Sequence, residues 1–161
     1  PVTVPRHVGQ YPFYYNHSAT RGRARYVDMP GTPLYEFGYG LSYTKFEYSS
    51  LRITPNEIGV RGDVEISADV KNTGDRRGAE VVQLYVNDAI SSTSKPVKEL
   101  KGYEKIVLEP GETKTVKFKL FPEDMSLFDR NMNFVVEPGV FRIMVGGSSM
   151  DIRLRGDLTV K

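Results

Sequence analysis

Behind Phe46, apolar and polar residues alternate in short runs that end at turn signals. In the run Val64–Lys71, Val, Ile and Ala alternate with Glu, Ser, Asp and Lys. Such a period of two is typical of a strand with one buried face and one face in water. Comparable runs are Val82–Val86, Ile106–Leu108, Val116–Leu120, Phe134–Val136, Phe141–Val145 and Ile152–Val160. This part of the chain therefore consists mainly of strands.

The turn signals between the runs set the fold class. Asn72–Asp75, Pro110–Gly111 and Pro138–Gly139 carry residues that favour tight turns. About seven short strands with turns roughly every 8–12 residues are typical of an antiparallel β-sandwich. The only helical candidate, Pro122–Leu127, is short enough to be a single turn. We therefore predict an all-β chain with an immunoglobulin-like or fibronectin type III-like sandwich.

The front of the chain has a different composition. Eleven of the eighteen aromatic residues lie between Tyr11 and Tyr48, and half of the ten prolines precede Leu34. The segment Thr32–Tyr48 holds six aromatics around Gly38 and Gly40. Proline and glycine in this number disfavour helix and long strands. We expect extended segments that pack on another body, with one short strand near Val8–Tyr15.

Charge and residue types exclude several classes of function. A net charge of +2 from 22 basic and 20 acidic residues gives no basic face for nucleic acid. Absence of cysteine removes thiol catalysis and disulfides, and no apolar run is long enough for a membrane span. His7 and His17 stand alone without a nucleophile motif or a metal-ligand spacing. We expect no catalytic residue, no metal and no cofactor in this chain.

Most acidic residues fall on outward strand positions or beside turns, where little shifts a pKa. Asp28 and Glu36 are the exceptions, because they lie among aromatic residues and could line a ligand site. The aromatic residues themselves allow two interpretations, since a ring can stack on a sugar or pack between domains. We favour packing between domains, and the docking candidates are Tyr35, Phe37, Tyr39, Tyr43 and Phe46.

Several motifs resemble one enzyme family. Pro1–His17 and Tyr35–Thr44 resemble the end of the second domain and the following linker of glycoside hydrolase family 3 β-glucosidases. The motifs of the predicted sandwich that resemble the same family, in the same order, are Val70–Asp75, Val81–Val86, Lys95–Gly102 and Glu137–Gly139. The likeness is greatest to periplasmic bacterial members that have a fibronectin type III-like domain. It implies a tail and linker over residues 1–45 and a sandwich domain over residues 46–161.

The resemblance also implies a parent enzyme. Family members are retaining exo-β-glycosidases whose two catalytic carboxylates lie in motifs ahead of any residue here, so none is carried over. We expect the chain to be a fragment of such an enzyme, periplasmic or secreted, that packs on the catalytic domains and stabilises them. Candidates for residues near the substrate are Arg25, Tyr26, Asp28 and Glu36.

Two other interpretations stay open at the level of sequence. The sandwich could be a carbohydrate-binding or adhesion module, which would need an exposed aromatic platform. The chain could also form a homodimer, or meet a β-linked oligosaccharide through the parent. Separated from its sheet, the front of the chain should be disordered, wrapped on the sandwich, or paired with another copy.

Overall fold

The computed structural model describes residues 2–18 and 27–161. Within these ranges the chain forms β1 (Phe46–Thr54), β2 (Glu57–Ile58), β3 (Val64–Asn72), β4 (Gly78–Asp88), β5 (Glu99–Leu108), β6 (Thr113–Leu120), α1 (Pro122–Met125), β7 (Leu127–Phe128), β8 (Phe134–Val135), β9 (Gly139–Gly146) and β10 (Ile152–Val160). The described chain is thus nearly all β, as predicted, and α1 is the single helical turn expected near Pro122.

Two sheets form the sandwich. The smaller sheet has the order β1-β3-β6 and the larger has the order β2-β10-β9-β4-β5. The pairings are antiparallel except that of β2 with β10, which run parallel. A separate short ladder joins β7 to β8. The predicted sandwich is confirmed. The parallel pairing of β2 with β10 at the edge of the larger sheet could not be predicted from the alternation.

The core lies between the two sheets and is made by the inward half of each alternating run. Val64, Ile66, Ala68 and Val70 of β3 are all buried, and they face Val82, Leu84, Ile143 and Val145 of the larger sheet. Burial of this apolar surface at roughly 25 cal/mol per Å² is the main stabilising term of such a sandwich.

All seven predicted runs lie in or overlap strands, whereas β1, β2 and β7 were not indicated by the pattern. In β1 the pairing register shifts between Ser49 and Arg52, and Ser50 has a positive φ of 53°. This bulge breaks the period of two on which the prediction depends. Strands β2 and β7 have two residues each and are too short to show any period.

The strand expected near Val8–Tyr15 does not form, so that prediction is wrong. Backbone bonding there is that of turns, with the Gln10 amide donating to the His7 carbonyl. Pro12 has no N–H to offer a ladder. Instead, the front of the chain is tied by isolated bridges, Val4 with Tyr35 and Ser18 with Pro96.

Candidate functional site

The outer face of the larger sheet is covered by the front of the chain. We call residues 2–18 and 27–45 the front segment. Along β4, Val82 and Leu84 point to the core, and Gln83 and Tyr85 point to the opposite face. Gln83 and Tyr85 are nevertheless only 4% and 0% exposed. Their burial follows from the front segment lying over them.

Gln83 joins two separate loops to β4. Its amide nitrogen donates to the Gly38 carbonyl at 3.0 Å and also to the Gly147 carbonyl. Its amide oxygen accepts the Tyr85 hydroxyl at 2.6 Å. Both amide hydrogens are therefore in use, and the side chain is fixed in one orientation. A buried amide bonded in this way holds the front segment to the sheet.

Aromatic contacts add to this attachment. The Tyr15 ring stacks on Phe37 with centroids 4.0 Å apart, and it meets the Tyr85 ring edge-on at 6.0 Å. The Tyr15 hydroxyl also accepts the Leu100 amide. Burial, with smaller contributions from Tyr15 and Glu36, raises the pKa of the Tyr85 hydroxyl. Tyr85 therefore stays neutral and remains a donor to Gln83.

The loop between β9 and β10 completes the contact with the front segment. The Ser149 amide donates to the Phe37 carbonyl at 2.9 Å, and the Ser148 hydroxyl donates to the Glu36 carboxylate. Ser148 in turn accepts the Asp151 amide at 3.0 Å. Residues 36–38 are thus bound on one side by Gln83 and on the other by this loop.

An open groove of about 980 Å³ lies beside this contact, between residues 36–45 and the outer edge of β4 and β5. Its apolar lining includes Tyr39, Leu41, Val81, Leu100 and Tyr103, and its charged lining is Glu36, Lys45, Glu80, Asp151 and Arg153. A concave surface with apolar walls and a few polar groups at one end is the usual form of a binding site.

The charged end of the groove, which we call the acidic end, is formed by Glu36, Glu80, Asp151 and Arg153. The Tyr48 hydroxyl donates to Glu80 at 3.1 Å, while Arg153 binds both oxygens of Asp151. The Arg153 guanidinium also lies 5.3 Å above the Tyr48 ring and donates to the Phe46 carbonyl. Asp151 is thus neutralised by Arg153, and Glu80 has a hydroxyl as its direct partner.

Burial is the main cause that raises the pKa of Glu80, with a contribution from nearby Asp151, against the opposing effects of the Tyr48 hydrogen bond and Arg153. Burial is likewise the first cause that raises the pKa of Tyr48, followed by the charge of Glu80. The groove therefore holds a carboxylate whose charged form is disfavoured by burial.

This pKa shift predicts a pH-dependent gain of stability in Glu80→Gln. Because the folded-state pKa of Glu80 lies above its ordinary value of 4.5, the charged carboxylate destabilises the fold at neutral pH. The gain from Gln should be at most about 1 kcal/mol at pH 7, because solvent screens a half-buried site. This gain in stability should shrink as pH falls through the folded-state pKa of Glu80. It should be absent below the ordinary pKa of 4.5.

Urea unfolding of the chain at pH 7 and pH 4 measures this gain. Glu47→Gln on the exposed side of β1 is the matched control and should change stability by less than about 0.5 kcal/mol. A loss of stability in Glu80→Gln at pH 7 would contradict the prediction.

Of the residues proposed from sequence, only some lie at the groove. Arg25 and Tyr26 lie outside the described residues, and Asp28 is exposed. Glu36 lines the groove beside Ser148. Tyr43 is 94% exposed. The structure thus brings Glu36, but not Asp28, to the groove.

The other aromatic candidates differ in burial. Tyr35 and Tyr39 are partly exposed and lie 4.8 Å apart, ring centroid to centroid. Phe37 is half-buried against Tyr15. Phe46 is the first residue of β1 and belongs to the sandwich core, so its ring is not available to another domain.

Gln83 and Tyr85 are the two members of the predicted run Val82–Val86 that alternate with its inward apolar residues, and the sequence analysis assigned them no role. Two such residues on the outward face of an otherwise apolar strand could have signalled a covered surface. The alternation of β4 places Glu80 on the same face as Val82 and Leu84. Its contact with Tyr48 and its closeness to Arg153 could not be predicted, because they depend on tertiary structure.

Two further features concern residues 2–18 and 27–161. In this part of the chain, no three His, Cys, Asp or Glu side chains come together as metal ligands. No helix in the same residues has the length and apolar character needed to cross a lipid bilayer.

The fibronectin type III-like domain family matches residues 80–149, in agreement with the sandwich. The chain as a whole is a relative of the C-terminal part of glycoside hydrolase family 3 β-glucosidases and β-xylosidases.

Three relatives illustrate this kinship. A putative β-xylosidase of Formosa agariphila is 45% identical over 95% of this chain and 20% of its own length. A periplasmic β-glucosidase of Salmonella typhimurium is 43% identical over 95% of this chain and 21% of its own. A solved β-glucosidase structure from Erythrobacter marinus superposes with a TM-score of 0.93 at 43% identity, covering 99% of this chain and 21% of the other. The chain thus spans about a fifth of the length of these relatives.

Proposed function

We propose that this chain is the non-catalytic C-terminal module of a retaining exo-β-glycosidase that removes terminal β-linked sugars, and that it packs on the catalytic domains and stabilises them. The observation that carries the proposal is the similarity along nearly the whole chain to β-glucosidases about five times longer. The two catalytic carboxylates belong, in this proposal, to the preceding part of the enzyme.

The contacts of the front segment support the packing role. Gln83, Tyr85 and the β9–β10 loop fix this segment to the sandwich. Leu41 and Tyr43 of the segment are nevertheless largely exposed. Exposed apolar side chains on a firmly held segment suit an interface with another domain. We propose residues 1–45 as linker and tail, and residues 46–161 as the sandwich domain.

The test is an activity measurement on the pure chain and on the complete enzyme. With an aryl β-glucoside as substrate, the pure chain should give no turnover above buffer. Deletion of residues 46–161 from the complete enzyme should lower its thermal midpoint, and Lys161→Ala, at an exposed ion pair, is the control. Turnover by the pure chain would overturn the proposal, and an unchanged midpoint would remove the stabilising role.

We propose that Arg25, Tyr26, Asp28 and Glu36 lie near the cleft of the parent enzyme, where they could contribute to its wall. One relative is named a periplasmic β-glucosidase, which supports a periplasmic or secreted location.

A second candidate function is binding of a glycan by the sandwich. Tyr39 and Tyr103 are exposed at the groove, next to carboxylates that could accept sugar hydroxyls. Titration of the chain with a β-glucan, followed by tyrosine fluorescence, separates the two functions. Saturable binding that Tyr103→Ala abolishes would favour the glycan function, and an unchanged signal would favour packing on the catalytic domains.

A further inference from the structure

The groove combines exposed apolar surface with an end at which, among the described residues, carboxylates outnumber cations. Leu41 is 86% exposed and Tyr103 is 71% exposed, although both line the same concavity as the half-buried Leu100. Apolar side chains on opposite walls of one groove would be buried together by a single inserted segment. Burial of this kind is the main source of affinity in such grooves.

The charges of the groove indicate what such a segment carries. Among the described residues, hydroxyl groups are the side-chain donors to Glu36 and Glu80, from Ser148 and Tyr48 respectively. Arg153 is engaged by Asp151, and Lys45 at the rim is the other cation of the lining. Three carboxylates and two cations are found among the described residues of the lining, a net charge of −1, which favours a cationic partner group.

We propose that this groove is the docking site for a segment of the catalytic domains, which inserts apolar side chains between Leu41 and Tyr103 and places a lysine or arginine at the acidic end. This inference rests on the proposed function, because it needs the chain to be part of the longer enzyme. It assigns to the packing role a specific surface and a specific charge.

Site-specific thiol labelling tests the docking surface, since the chain has no cysteine of its own. Tyr103→Cys places a thiol in the groove, while Ile90→Cys and Met132→Cys place thiols at exposed positions outside its lining. Each variant is labelled with a maleimide as the isolated chain and within the complete enzyme. Peptide mass spectrometry then follows the labelling rate of each introduced thiol.

We expect the thiol at position 103 to react at least tenfold more slowly in the complete enzyme than in the isolated chain. Such a ratio corresponds to at least about 1.4 kcal/mol of protection. Thiols at positions 90 and 132 should react equally fast in both. If position 103 is unprotected while position 90 or 132 is protected, the groove assignment fails and the packing role survives. If none is protected, the groove assignment fails, and the thermal midpoint of the truncated enzyme decides the packing role.

The proposed lysine or arginine at the acidic end can be tested separately. Glu36→Gln with Glu80→Gln should restore most of the labelling at position 103 in the complete enzyme, by about tenfold. In the isolated chain the same substitutions leave that thiol fully reactive, and Glu80→Gln raises stability as argued above. The substitutions would then weaken docking in the complete enzyme, whereas Glu80→Gln stabilises the isolated chain. Residues that only maintain the fold would not produce these opposite effects. Undiminished protection in the double variant would overturn the cationic partner.

Two other occupants are also distinguishable. Protection of position 103 in the isolated chain that grows with protein concentration would indicate a second copy of the chain. Protection that appears only on adding a cello-oligosaccharide would indicate a glycan. Either result would overturn the proposed docking of a catalytic-domain segment.

Discussion

Replacement of Asn72 by alanine should lower the free energy of unfolding by about 3 kcal/mol, the largest effect we expect from a single polar side chain here. Asn72 ends β3 and is fully buried. Its amide nitrogen donates to the carbonyls of Arg76 at 2.7 Å and Leu108 at 3.0 Å. Its amide oxygen accepts the Thr44 hydroxyl and the Gly74 amide, at 2.6 and 3.1 Å.

The cost is large because four partners lose a bond at once. Alanine leaves two carbonyls and an amide unsatisfied near the core, and each such group costs roughly 1–3 kcal/mol when water cannot reach it. Entry of water into the vacated space reduces the sum to the expected value. Asn72 also ties Thr44 of the front segment to the turn after β3, so attachment of the segment should weaken in parallel.

Urea unfolding followed by far-ultraviolet circular dichroism measures the effect. Asn131→Ala is the matched control, because Asn131 is exposed in the turn between β7 and β8. The control should stay within about 0.5 kcal/mol of the parent chain. A loss below 1 kcal/mol in Asn72→Ala would show that its hydrogen bonds are replaced by water at little cost.

Valine at position 38 should detach the front segment locally, with a loss of about 2–4 kcal/mol in the stability of that attachment. Gly38 has a φ of +82°, a region that a β-branched residue avoids. A Cβ built there would lie 2.1 Å from the amide oxygen of Gln83. Gln83 cannot move aside, because its amide is held by Gly147 and Tyr85.

Hydrogen exchange at two amides measures this detachment. Ser149 donates to the Phe37 carbonyl and Val97 donates to the His17 carbonyl, so both amides lose acceptors when the segment leaves. Their exchange should accelerate while amides of the core strands stay protected. Gly40→Val is the control, since a Cβ at position 40 meets nothing within 4 Å. Equal exchange in the two variants would contradict the argument.

The sandwich could be predicted from sequence because its strands are half-buried. In β3, Val64 to Val70 alternate without interruption, and the structure buries each apolar member. The same logic failed in β1, where the bulge at Ser50 shifts the alternation by one residue. Alternation of apolar and polar residues therefore predicts regular strands well, but it does not predict strands that contain a bulge.

The groove was predictable only in part. Glu36 stood out in the sequence as an acid among aromatics, and it does line the groove. Glu80 and Asp151 are 71 residues apart in the chain and come together only when β4 and the β9–β10 loop meet. The predicted strand at Val8–Tyr15 was wrong because an extended, proline-containing sequence can run over a sheet without joining it.

The side-chain amide of Gln83 has a mechanical consequence. It binds the carbonyls of Gly38 and Gly147, which lie on opposite sides of β4 in the chain, and so couples both to one strand. A force applied at the front of the chain would load this bond and the Tyr15–Phe37 stack before it reached the backbone ladder of the sandwich. The front segment before β1 is therefore held rigidly on the sandwich and does not rotate freely relative to it. Its contacts fix its orientation as well as its position.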